Sequence, residues 1–123
     1  MKYLLIDDNP IDLLVNEKVI LNISSSNEVI KKQSGPEAID YLKENRNSLP
    51  DVILLDIKMP LMSGFEFLEA LEHQEVSLLK KMRVYMVSSS IDPLDLQRSE
   101  ENPFVSSFLE KPLRKSILED EFK

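Results

Sequence analysis

A rhythm of short apolar runs and helix-length intervals limits this chain to few folds. Consecutive apolar residues occur at Tyr3-Leu4-Leu5-Ile6, Val52-Ile53-Leu54-Leu55, Val84-Tyr85-Met86-Val87 and, more weakly, at Phe104-Val105 followed by Phe108-Leu109. A strand with one wet face alternates apolar and polar residues, so runs apolar at every position suit strands covered on both faces of a parallel sheet. Glu28 to Lys32 is more polar and suits an edge strand.

The intervals carry helix start signals. Asn9-Pro10 opens a segment in which Ile11, Leu14, Val15 and Val19 share a face, with Pro tolerated in the first turn and Asp12 favoured near the positive helix end. Ser34-Gly35-Pro36-Glu37 and Ser63-Gly64-Phe65-Glu66 fit the Ser-x-x-Glu capping box. Asp92-Pro93 opens another helix, and Leu113 to Phe122 is long enough for a short last one. Strand and helix thus alternate five times, which predicts an α/β fold: a five-stranded parallel sheet, right-handed crossovers and helices on both faces. In such sheets the working crevice lies beyond the carboxyl ends of the strands.

Bulk properties narrow the function. At 123 residues the chain has the length of one domain, since domains commonly run to about 100–150 residues, and residues 1–123 are read as a single complete domain. The net charge of -7 argues against direct binding to nucleic acid or an anionic membrane. With no Cys and a single His there is no disulfide framework and no zinc site to expect. The apolar stretch at the N-terminus is too short for a signal peptide, and no run approaches the roughly 20 residues that span a bilayer, so a cytoplasmic location is expected.

The strand ends hold the chemistry. The first run ends in Asp7-Asp8, the third strand in Asp56, the fourth in Ser88-Ser89-Ser90, and Lys111-Pro112 follows the fifth. If the strands bearing Asp7, Asp8 and Asp56 are neighbours, their carboxylates converge and raise one another's pKa unless a cation intervenes. A hard divalent ion with oxygen ligands, Mg²⁺ or alternatively Mn²⁺, is the fitting remedy. A carboxylate can also serve as nucleophile through an aspartyl phosphate. Phosphoryl transfer then needs positioning and charge neutralisation, available from the metal on one side and from Lys111 and the Ser88 hydroxyl on the other.

The ordered set Asp7-Asp8, Asp56 with Met59-Pro60-Leu61-Met62-Ser63-Gly64-Phe65-Glu66, Ser88-Ser89 and Lys111-Pro112 resembles the receiver domain of two-component response regulators, over residues 2 to 118. Gly35-Pro36-Glu37-Ala38 resembles that family's entry to its second helix. The resemblance implies a flavodoxin-like (βα)5 fold with strand order 2-1-3-4-5. It implies Asp56 as phosphoacceptor, Asp8 as direct metal ligand, Asp7 as the acid that helps hold the metal's water shell, and the Lys58 backbone carbonyl as a further ligand. Ser88 stands at the switch hydroxyl, Ser89 at a position of small residues, Lys111 at the lysine that contacts the phosphoryl group, and Phe108 at the aromatic whose rotamer follows phosphorylation. Lys58 and Ser90 occupy the positions that tune phosphoryl lifetime, and Lys111-Pro112 is expected to be cis, an isomer common only before proline. Two departures stand out: Thr is absent from the chain, so the switch hydroxyl falls to Ser88, and the last helix is short.

The implied partners are a histidine kinase or phosphotransfer protein upstream and a protein target downstream, met on the surface running from Asp92 to Phe122, with no direct contact to nucleic acid or membrane. No enzymatic role is expected beyond the chain's own phosphorylation and dephosphorylation. A hydrolase working through an aspartyl phosphate would want an acid two residues beyond the nucleophile, where Lys58 stands. A flavin module of the same fold would need hydroxyls and glycines after the first strand, where Asp7-Asp8-Asn9-Pro10 would repel a phosphate. A non-phosphorylated interaction domain is the remaining alternative.

Overall fold

The computed structural model describes residues 1–90 and 92–122. Its elements follow in strict alternation: β1 (Lys2–Ile6), α1 (Pro10–Ile23), β2 (Glu28–Lys32), α2 (Gly35–Glu44), β3 (Val52–Asp56), α3 (Gly64–Leu79), β4 (Arg83–Ser88), α4 (Pro93–Glu101), β5 (Val105–Glu110) and α5 (Lys115–Glu121). The strands pair in parallel in the order β2-β1-β3-β4-β5.

Two hydrophobic layers explain why the central strands are apolar at every position. Leu4, Ile6, Ile53, Leu55, Val84 and Met86 point into one layer, where Ala38, Ile39 and Leu42 of α2 and Phe67, Leu68 and Leu71 of α3 meet them. The intervening residues Tyr3, Leu5, Val52, Leu54, Tyr85 and Val87 point into the other, closed by Leu13 and Ile20 of α1 and Leu118 of α5. The period of two in a strand therefore divides each run between two covered faces. β2 and β5 form the edges and are more polar, as expected of edge strands.

Helix starts follow their capping residues. Asn9 caps α1, its side chain accepting from the backbone N–H of Ile11 and Asp12, and Asp92 caps α4 by accepting from Leu94 N–H. Ser63 and Glu66 complete the reciprocal box at α3. At α2 only half of that box forms: Ser34 accepts from Glu37 N–H, while the Glu37 carboxylate takes the N–H of Gln33 instead of that of Ser34.

α1 corrects the expected buried face. The structure buries Leu13, Asn16 and Ile20, leaving Val19 half-buried and Ile11, Leu14 and Val15 at 69%, 47% and 41% exposure. This helix carries apolar residues on two sides, so a 3.6-residue period fits both stripes. The choice falls to packing, where Leu13 and Ile20 meet Tyr3, Leu5 and Leu118. The last helix is also shorter than Leu113 to Phe122: α5 begins at Lys115, Leu113 being buried ahead of it and Phe122 just past its end, edge-on to Tyr3 and Tyr85.

Candidate functional site

Because all five strands are parallel, their carboxyl ends fall on one side of the sheet, and β1 and β3 are neighbours. Asp7 follows β1 and Asp56 ends β3. Asp7, Asp8 and Asp56 each offer a carboxylate oxygen, and these oxygens lie within 4.8 Å of one another. Asp7 and Asp56 are buried at 3% and 7% exposure, whereas Asp8 is exposed.

Lys111 crosses the chain to reach this group. Its backbone N–H is tied to the Ser88 carbonyl at 2.8 Å, so β4 sets where the side chain starts. The ammonium then donates to Asp7 Oδ2 at 2.6 Å and to Asp12 Oδ2 at 3.0 Å, and stands 3.5 Å from Asp56 Oδ1. Asp7 is anchored a second time, its Oδ1 accepting from Asn9 N–H at 2.9 Å. The peptide bond Lys111-Pro112 is cis, as expected.

Charge crowding marks the cluster. Burial and then the charge of Asp7, with a smaller push from Asp8, raise the Asp56 carboxyl from 3.8 to about 6 despite the nearby ammonium. For Lys111 burial works downward, but hydrogen bonds to Asp7 and Asp12 and the charges of Asp56 and Asp7 outweigh it and push the ammonium up to about 12. A divalent cation fits this donor set: hard oxygen ligands, more than one carboxylate and a net negative pocket.

Ser88 is buried at the end of β4, one residue beyond Val87, which pairs with Asp56 in register. Its Oγ accepts from Ser90 N–H at 3.3 Å. Lys58 and Ser90 meet across the mouth of the site, Nζ to Oγ at 3.3 Å, while Ser89 faces the other flank beside Lys111 and Asp12. Phe108 stands apart from the acids, pairing with Met86 in the sheet and lining a groove with Leu96 and Ser99 of α4. Behind the acids, Gly64 donates its N–H to Ile57 O at 2.9 Å, and a Cβ on it would come within 2.6 Å of the Asp56 carbonyl. That close approach restricts this position to glycine.

Asp12 is the site residue that reading the sequence missed. It registers there only as an acid in the first turn of α1. With Asn9 as cap, however, it is the third helical residue, whose side chain leans back towards the helix start and hence the strand ends.

The model of the response regulator receiver domain family matches residues 3–123. The chain belongs to the response-regulator receiver family. Among its relatives, the two-component response regulator ORR1 of rice, Oryza sativa, is 31% identical over 118 residues, covering 92% of this chain and 50% of that protein. The sensor histidine kinase CheAY of Helicobacter pylori is 28% identical, covering 93% of this chain but 15% of its own length. This receiver chain therefore spans about half of the rice protein and a small part of the kinase. The crystal structure of a two-component response regulator from Cytophaga hutchinsonii superposes with a TM-score of 0.92 at 30% identity, covering 98% of this chain and 92% of that one. Receivers of this family accept a phosphoryl group and generally bind Mg²⁺ at an acidic pocket; this chain has a cluster of acids in Asp7, Asp8 and Asp56.

Proposed function

We propose that Asp56 accepts a phosphoryl group from a histidine kinase or phosphotransfer protein and that the phosphorylated chain presents an altered surface to a downstream protein. The observation that carries this reading is the ammonium of Lys111, held by Asp7 and 3.5 Å from the Asp56 carboxylate among the clustered acids. That arrangement neutralises incoming phosphoryl oxygens while leaving the acceptor free to attack.

An ionised Asp56 oxygen attacks phosphorus, the bond from phosphorus to the donor nitrogen breaks, and its electron pair leaves with that nitrogen. At neutral pH the carboxylate form predominates, since the group titrates at about 6. Lys111 holds a charge throughout, and the Ser88 hydroxyl is the donor for a phosphoryl oxygen. Asp7, Asp8, Asp56 and the Lys58 carbonyl are the groups to hold Mg²⁺, with Mn²⁺ as a substitute. Bound there, the metal would supply positive charge to offset that of the phosphoryl oxygens. Lys58 and Ser90, whose side chains meet at 3.3 Å, are read as the pair that tunes the phosphoryl lifetime.

Downstream, Ser88 and Phe108 form the switch, and the face made by α4, β5 and α5 is the output surface. The receiver is read as a single domain over residues 1–123 that turns over no substrate besides its own phosphoryl group. It works in the cytoplasm through protein contacts. No described helix is long and apolar enough to cross a membrane.

Incubation with a small phosphodonor and Mg²⁺, read by intact mass, adds one phosphate to the wild-type chain and none to Asp56→Asn. Equal uptake by that variant would remove Asp56 from the role.

A further inference from the structure

We propose that Asp12 is a positioning residue that draws Lys111 away from Asp56 in the unphosphorylated chain and releases it when a phosphoryl group arrives. The inference rests on Asp56 being the phosphoacceptor. It starts from how one ammonium is shared. Lys111 makes its two hydrogen bonds to Asp7 at 2.6 Å and Asp12 at 3.0 Å, and Asp56 is the most distant of the three carboxylates at 3.5 Å.

The two holders differ in what their release costs. Asp7 has a side chain 5% exposed and is pinned by Asn9 N–H, so losing the ammonium would leave a buried carboxylate short of a partner. Asp12 has a side chain 36% exposed and borders an open cleft with Val15, Asn16, Ser89 and Pro112, where water can replace the ammonium. Asp12 is therefore the bond that yields. A phosphoryl group brings a charge of roughly -1.5 to -2 and three strong acceptor oxygens, enough to outcompete one half-exposed carboxylate. The lysine carries its ammonium on a flexible four-carbon stem, so rotation about side-chain bonds can redirect it.

Asp12 thereby opposes the phosphorylated state, and neutralising it favours that state. This sign separates it from a residue that supports the site, whose loss weakens phosphoryl binding.

The test uses beryllofluoride, a mimic of the bound phosphoryl group, titrated at saturating Mg²⁺ and read by ¹⁹F NMR of the bound fluoride. Asp12→Asn binds it about two- to fivefold more tightly than wild type, the scale of a partly exposed ion pair, and Asp12→Glu stays near wild type. In a Lys111→Ala background the gain from Asp12→Asn disappears, because the effect runs through the ammonium. Unchanged or weaker binding by Asp12→Asn, or a gain that persists without Lys111, overturns the proposal. Should Lys111→Ala bind no beryllofluoride, a crystal structure of the wild-type complex decides: Lys111 Nζ is expected on fluoride and off Asp12, and a retained Asp12 hydrogen bond overturns it. A wild-type chain that binds no beryllofluoride defeats the phosphoacceptor reading itself, and this inference falls with it.

Discussion

At the scale of single residues, Asp56 is held in a costly state. Its carboxyl is raised from 3.8 to about 6, so the folded chain binds this proton more tightly than the unfolded chain does. The stability gained from that proton is fully present below 3.8 and is lost as pH rises through about 6. Replacing the carboxylate by Asp56→Asn removes this pH slope and stabilises the metal-free chain at neutral pH, by at most about 3 kcal/mol at roughly 1.4 kcal/mol per pKa unit. Urea midpoints of both proteins across that window measure the difference. A metal-free wild type as stable as the variant at neutral pH would contradict it. Most of the residues that the fold gathers here were legible because Asp7, Asp8, Asp56, Ser88 and Lys111 stand at or just beyond a strand end and are chemically conspicuous there. Asp12 was not, because an acid in a first turn has an ordinary explanation as a helix-end charge.

Among the elements, α1 shows where pattern reading fails. The central strands were unambiguous, since a run apolar at every position leaves no face to choose. α1 has two apolar stripes, and periodicity alone cannot say which meets the sheet. The structure makes the two testably unequal. Ile20→Ala, at a fully buried site among Tyr3, Leu5 and Leu118, is expected to cost about 2–5 kcal/mol. Leu14→Gln, on the outer stripe, is expected to change stability by about 0.5 kcal/mol or less. Chemical denaturation of the two variants checks both figures, and comparable losses would mean that the outer stripe is packed in solution. Capping obeyed the same logic: Ser63 with Glu66 was readable in full, whereas at α2 the Glu37 carboxylate found Gln33 N–H, a competition that only the fold decides.

For the whole molecule, alternation of runs and helices implied a parallel sheet but not its strand order, which came from resemblance. The observed order puts β1 between β2 and β3, and the bond from Lys111 to Asp7 joins residues 104 apart. That separation has a consequence for biosynthesis. A growing chain exposes its acids early, Asp7 and Asp8 at once and Asp56 midway, yet the lysine proposed to complete the phosphoryl site with them emerges only after β5. Ribosome-bound chains arrested with residues up to Ser90 outside the exit tunnel are expected to take up no label from a small phosphodonor, and chains extended past α5 to take it up as the free protein does. Labelling of the shorter chains would count against this order of events. If Asp56 is the acceptor and Lys111 its partner, translation imposes a delay on signalling competence: a copy arrested before β5 is deaf to the phosphodonor.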